Sequence, residues 1–268
     1  PGTMLRAMAA LRTVTATRYV TPLREGGSLP AIVEADDDGL YVLKFVGAGQ
    51  GPRALIAELV AGEIARSLGL PVPEIVFVLL DPELARTEPD AEIQDLIRAS
   101  GGLNLALDYL PGSVTFDPLT LPLDPVLASR IVWFDAYVTN IDRTARNTNT
   151  LVWHGAPWLI DHGAALYFHH DWRDHLARAA GRFPQIKDHV LLRAASELAA
   201  VDAPMAAALT PQRLGEIVAQ VPDAWLRDEA AFETPAAHRE AYLAYLTQRL
   251  AAPRAYVQEA IDARARLV

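Results

Sequence analysis

Two short segments near the middle of the chain hold the residue types and spacings that can do chemistry. In Asn140-Ile-Asp142-Arg143-Thr-Ala-Arg146-Asn147 an Asp is followed five positions later by an Asn. In Leu159-Ile160-Asp161-His162-Gly163 an Asp-x-Gly follows apolar residues. One carboxylate to orient a hydroxyl, plus an amide oxygen and a second carboxylate to hold magnesium, is the donor set that phosphoryl transfer from ATP needs. Asp142 would accept or steer the proton of the attacking hydroxyl. Asn147 would give its side-chain carbonyl to Mg2+, and Asp161 would bridge the metal to the β- and γ-phosphates. Gly163 would let the chain turn sharply behind that ligand. An Asp-x4-Asn recurs by chance, and Asx residues are common turn formers. The weight comes from the pair, because the order and separation of the two segments are then both constrained.

Lys44 lies in Leu40-Tyr-Val-Leu-Lys44-Phe-Val, a strand whose other residues are mostly apolar. A lysine on an edge strand is ordinarily a surface residue, but an ammonium between Leu43 and Phe45 needs a partner if buried. Glu58 on the following helix is the expected one, and the pair would hold the α- and β-phosphates. Glu63, five residues on, should turn off that face at about 100° per residue. Gly26-Gly27-Ser28 reads equally as a loop over the phosphates or as an ordinary hairpin turn. Arg143 and Arg146 read either as groups that neutralise a transferring phosphoryl or steer an acidic substrate, or as plain surface arginines. His162, His169 and His170 read as structural or substrate-facing, since adjacent histidines rarely aim at one ion. Asp36-Asp37-Asp38 lacks the pattern of a calcium loop and reads as a solvated turn.

The elements that must position these residues follow from periodicity and turn chemistry. Thr13 to Val20, Leu29 to Glu34 and Leu40 to Val46 read as a meander of antiparallel strands. Leu55, Leu59, Ile64 and Leu68 predict a helix from Pro52 to Leu68, with Gly69 as its C-terminal cap. A strand over Glu74 to Leu80 is followed by Asp81-Pro82, an N-cap and first-turn proline for a helix running towards Ala99. Leu103 to Tyr109 is a further strand. A hinge is expected around Asp108 to Gly112, with Asp108, Tyr109 and Leu110 presented to the nucleotide. Asp124-Pro125 opens an apolar helix through Val138 that delivers the chain to the Asp142 loop. Thr148 to Trp153 and Pro157 to Ile160 predict a hairpin around His154-Gly155-Ala156. Helices are expected over Ile186 to Ala200, Pro211 to Val221, and Pro235 to Leu267 with a break at Pro253. The expected fold is therefore α+β and two-lobed, with a β-rich first lobe over residues 4–110 and a mainly helical second lobe over 111–268.

Composition sets the bounds. The 268 residues are 51% hydrophobic and 21% charged, as for an ordinary globular protein. No apolar run is long enough to span a bilayer, and no N-terminal stretch reads as a signal peptide. Pro1-Gly2-Thr3 before Met4 reads as a cloning remnant. The lack of cysteine removes disulfides, thiolate catalysis and zinc–thiolate sites, and fits the expected cytoplasmic location. A net charge of −9 argues against a nucleic-acid partner or an anionic membrane surface, both of which need a positive field.

At these residues the chain resembles the HipA-like serine/threonine kinases, which are related in fold to phosphatidylinositol kinases. Gly26-Gly27-Ser28-Leu29-Pro30-Ala31 is similar to that family's glycine/serine loop, and Lys44 to its strand lysine. Glu58, Ile64-Ala65 and Leu68-Gly69-Leu70-Pro71-Val72-Pro73 resemble its N-lobe helix and the turn after it. Asn140-x-Asp142-Arg143-x3-Asn147 resembles its catalytic loop, and Asp161 its metal aspartate. The likeness runs from about Thr21 to Gly163. It implies ATP and Mg2+ as cofactors, a protein Ser/Thr acceptor, and Ser28 as an autophosphorylation site. The chain is shorter than the family's toxin kinases and shows no counterpart of their extra N-terminal subdomain, so no antitoxin or operator partner is carried over. Asp161-His162-Gly163 looks more like the ending in lipid kinases and small-molecule phosphotransferases. Those phosphotransferases usually place His where this chain has Asn140. A nucleotide-binding pseudokinase is the reading from a different class; it sits poorly with the joint presence of Lys44, Glu58, Asp142, Asn147 and Asp161.

Overall fold

A computed structural model describes residues 10–23, 29–227 and 229–268. Gly26-Gly27-Ser28 lies outside the described residues, so the two readings of that loop stand as they were. The chain divides into two compact units, residues 1–48 with 75–108, and residues 49–74 with 109–268.

The first unit is built by alternation. In β1 (Thr13–Pro22) Val14 and Ala16 turn inward with the period of 2 of a half-buried strand, and a register shift after Ala16 brings Tyr19 to the same face. β2 (Ala31–Ala35) pairs antiparallel with β1 and with β3 (Leu40–Lys44), as the expected meander requires. β3 then pairs with β5 (Gly102–Asp108), and β5 with β4 (Ile75–Leu80). Parallel pairing of β4 with β1 closes the sheet into a barrel ordered β1-β2-β3-β5-β4, a closure that removes free sheet edges. Val14, Val33, Leu43, Val76, Val78 and Ala106 form its interior.

The single helix expected from Asp81 to Ala99 is two elements. Asp81 caps only a 3-10 turn, Pro82–Thr87, and Asp90 caps α2 (Ala91–Ala99), which follows our numbering after α1 (Pro52–Ser67). Pro89 is the cause: it has no N–H to donate and biases Glu88 to the extended backbone seen there (ψ 124°).

α1 starts at Pro52 and ends as predicted at Gly69, whose φ is +69°. Gly69 N–H donates to Arg66 O and Leu70 N–H to Ala65 O, both at 2.9 Å, the paired bonds of a Schellman stop. The expected first lobe, residues 4–110, included this helix. The structure groups segment 49–74 with the second unit, since α1 packs there on α6 (Pro211–Val218) and on the turn Asp223–Trp225. The first unit ends at Asp108.

In the second unit, α3 (Pro125–Tyr137) is capped by Asp124, whose carboxylate accepts from Val126 N–H and Leu127 N–H at 3.0 and 3.1 Å. A small sheet joins β6 (Val114–Thr115), β7 (Thr150–Trp153) and β8 (Ala156–Leu159). The β7–β8 turn holds His154 and Gly155 at φ +49° and +75°, the positive pair that a twisted two-residue hairpin needs. The remaining helices are α4 (His175–Ala179), α5 (Leu198–Ala208), α6, α7 (Pro235–Leu250) and α8 (Ala255–Ala265). The helix expected over Ile186 to Ala200 is instead a 3-10 turn, Pro184–Asp188, then extended and turning chain before α5. His189 is drawn out of helical geometry by a bridge to Thr144, and Val190 N–H donates to Arg143 O at 3.1 Å.

Candidate active site

α3 carries the scaffold of the site. Its C-terminal carbonyls, Ala136 O and Tyr137 O, each accept at 2.8 Å from the buried guanidinium of Arg249. A cation there complements the helix dipole and satisfies carbonyls that lack helical partners. The residue just before them, Asp135, is fully buried. Its Oδ2 takes Arg143 Nε at 2.6 Å and His189 Nε2 at 2.8 Å, and its Oδ1 takes Asn140 Nδ2 at 2.8 Å. Burial acts to raise the Asp135 pKa, but the Arg143 guanidinium and the His189 hydrogen bond outweigh it and hold the carboxyl below the usual range. Leu191 N–H donates to His189 Nδ1 at 3.0 Å, so the ring proton sits on Nε2 and points at Asp135.

This network corrects both readings of Arg143. It is 1% exposed, and its guanidinium also donates to Asn149 O, so it neither meets a phosphoryl group nor lies on the surface. Arg146 is exposed.

Asp142 and Asn147 come together as the spacing suggested. Asp142 Oδ2 accepts from Asn147 Nδ2 at 2.8 Å and from Asn149 Nδ2 at 3.1 Å, while Asp142 N–H donates to Asn140 Oδ1 at 3.1 Å. The hairpin then returns the chain to the same place. Thr150 pairs with Leu159, and Ile160 N–H donates to Asn149 O at 3.0 Å. Asp161 therefore emerges at the hairpin end that carries Asn147 and Asn149. The sharp turn is made by Asp161 itself, with φ +53°, and not by Gly163. A Cβ at Gly163 would meet only ordinary contacts, 3.6 Å from Asp161 Oδ1 and 3.7 Å from Ala54 O. The left-handed backbone at Asp161 costs about 1–2 kcal/mol, which surrounding contacts must offset.

Those contacts come from α1. His162 is fully buried; its N–H donates to Glu58 Oε2 at 2.9 Å, and its Nδ1 lies 3.1 Å from Glu58 Oε1. The ring meets Phe134 edge-on. Glu58 thus grips the residue directly after Asp161, a partner that the sequence reading did not foresee. Glu63 faces elsewhere, 3.4 Å from Arg66, and burial raises its pKa. Lys44 is half-buried near the end of β3, in the first unit. Asp108 ends β5, with Tyr109 and Leu110 following in the second unit.

Among the described residues no three His, Cys, Asp or Glu side chains are placed to hold a metal. The hairpin end offers the Asn147 side-chain carbonyl and the Asp161 carboxylate. Two hard oxygen donors suit Mg2+, which keeps its other positions for water and phosphate oxygens. His169 is buried with its Nδ1 3.0 Å from Tyr242 Oη, a structural placement. Asp36-Asp37-Asp38 forms the expected turn, with Asp37 held by Arg12 at 2.7 Å.

Among solved structures the chain is similar to the Helicobacter pylori proinflammatory kinase CtkA, at 14% identity and a TM-score of 0.52, over 97% of this chain and 100% of that one. The Golgi casein kinase with Mn/ADP bound aligns at 12% identity and a TM-score of 0.47, over 96% of this chain and 74% of its own. No curated protein matches. The likeness to CtkA shows an α+β, kinase-like fold. Residues 17–254 match the HipA-like kinases, and the chain belongs to that family.

Proposed function

We propose that this kinase uses ATP and Mg2+ to phosphorylate a serine or threonine hydroxyl of a protein. The observation that carries the reading is the Asp142 carboxylate, held by two asparagine amides at the hairpin end from which Asp161 emerges. Asp142 orients the acceptor hydroxyl and takes its proton as the phosphoryl group moves. Asn147 and Asp161 hold Mg2+, which when bound neutralises charge on the β- and γ-phosphate oxygens. Lys44 supplies the ammonium for the α- and β-phosphates, and Glu58 is its expected counter-charge. Asp108, Tyr109 and Leu110 contact the nucleotide. The family resemblance supports a phosphate-loop role for Gly26, Gly27 and Ser28, with Ser28 as a self-phosphorylation site. The family resemblance supports the protein acceptor, and the composition supports the cytoplasmic location. Among the described residues no helix is long and apolar enough to cross a membrane.

The test is transfer from γ-labelled ATP to a lysate, to small-molecule hydroxyls and to the enzyme itself. Asp142→Ala should lower kcat by about 10²–10⁴-fold, and Asp161→Ala should abolish transfer. Lys44→Ala should mainly raise the KM for ATP. Wild-type transfer in Asp161→Ala would remove the metal assignment. Label found only on small molecules would replace the protein acceptor, and Ser28→Ala should erase any label near the N-terminus.

A further inference from the structure

We infer that Asn149 is a positioning residue for Asp142, with a task separate from that of Asn147. The inference rests on the phosphotransfer reading for its consequence, but not for its geometry. Two amides converge on one oxygen, Asp142 Oδ2, from 2.8 Å for Asn147 and 3.1 Å for Asn149. They sit in different surroundings. Asn147 is exposed, whereas Asn149 is 7% exposed. A ligand to Mg2+ must share the ion with water and phosphate oxygens, which suits the exposed amide. The buried amide is suited to fixing geometry.

Asn149 is also tied at its backbone. Its carbonyl oxygen accepts from Ile160 N–H at 3.0 Å and from the Arg143 guanidinium. One residue therefore joins three parts: the Asp142 carboxylate through its side chain, the Asp161 segment through Ile160, and the buried Asp135–Arg143–His189 network through Arg143. The joint uses the left-handed region, with φ +42° at Asn149, which Asn tolerates better than most residues. With the Asn149 amide removed, Asp142 Oδ2 keeps only the bond from an exposed side chain. The carboxylate then samples more than one orientation relative to Asp161. Displacement by about 1 Å of a group that must meet its substrate in line costs about 10²-fold in rate.

Asn149→Gly tests this cleanly, because glycine keeps the positive φ and the carbonyl bonds while deleting the amide. Three readouts separate the outcomes. Steady-state kinetics should show kcat lowered by about 10–100-fold, with KM for ATP within about twofold. Titration of Mn2+ into the protein with a non-hydrolysable ATP analogue, followed by electron paramagnetic resonance, should show unchanged affinity in Asn149→Gly and at least about tenfold weaker affinity in Asn147→Ala. The Asp142 side-chain carboxyl resonance in 13C-labelled protein should be a single line in wild type and shift or broaden in Asn149→Gly. Unchanged kcat, or Mn2+ affinity lost in parallel with kcat, would overturn the positioning role. If wild type transfers no phosphate at all, the kinase reading fails by itself. The carboxyl resonance still decides the contact: an unmoved line in Asn149→Gly refutes it.

Discussion

The barrel unit and the helical unit bury different chemistry. In the barrel unit the buried residues are almost all aliphatic or aromatic, and the buried polar side chains described there are Glu88, Ser100 and Asn104. Each of these serves the backbone: Asn104, for instance, accepts from Val46 N–H at 2.8 Å and donates to Ser100 O and Gly102 O at 2.8 and 3.0 Å. The helical unit buries Glu58, Asp135, Asn140, Arg143, Asn149, His162, His189 and Arg249 among others. There the polar groups pair with one another across long stretches of chain. A barrel held by apolar burial tolerates small adjustments. A loop held by paired buried charges has one geometry or none, because a charge left alone in the core is expensive.

The sharpest way to break the contrast is Asp135→Ala, which strands the Arg143 guanidinium. Stability should fall by about 3–5 kcal/mol, measured by urea unfolding of the full chain, and phosphate transfer should be lost with it. All five tryptophans lie in the helical unit, so their fluorescence reports on that unit alone. A cost below about 1 kcal/mol would mean that the network is a surface-like pair. In the barrel, Asn104→Ala should cost about 1–3 kcal/mol by leaving Val46 N–H unsatisfied, and Trp fluorescence should miss any loss confined to that unit.

The mildest test is pH. All seven histidines are also in the helical unit. Burial lowers the pKa of His169, His170 and His238, with neighbouring positive charge, notably Arg53, adding to it. A depressed folded pKa means that the unfolded chain takes up protons first. Their contribution is therefore complete above the unfolded value of about 6.5 and is lost as pH falls through the folded values. The Trp-detected unfolding midpoint should drop as pH is lowered below that value. A flat profile would show that these rings are solvated.

Much of the fold was legible because it is decided locally. Apolar and β-branched runs broken by turn residues mark β1 to β3, Asp124-Pro125 opens α3, Gly69 stops α1, and His154-Gly155 makes the hairpin turn. The misses share one cause. Pro89 aside, they occur where hydrogen bonds from distant chain override local preference. His189, expected in a helix, is held by Asp135, 54 residues away. Arg143, expected near phosphate or solvent, is taken into the same core. Glu58 finds His162 across 104 residues. Asn149 lay outside the Asp-x4-Asn spacing, and its only sequence signal is an Asn directly before a strand.

The types and order of the reactive groups, Asp142 with Asn147 and then Asp161, belong to the primary structure, since chemistry depends on side-chain identity and the hairpin between them is encoded by neighbouring residues. Their orientation does not. It is decided by buried partners from α1, α3 and the chain around His189, because a carboxylate's direction is set by the donors that surround it, and those donors meet only when the chain has folded.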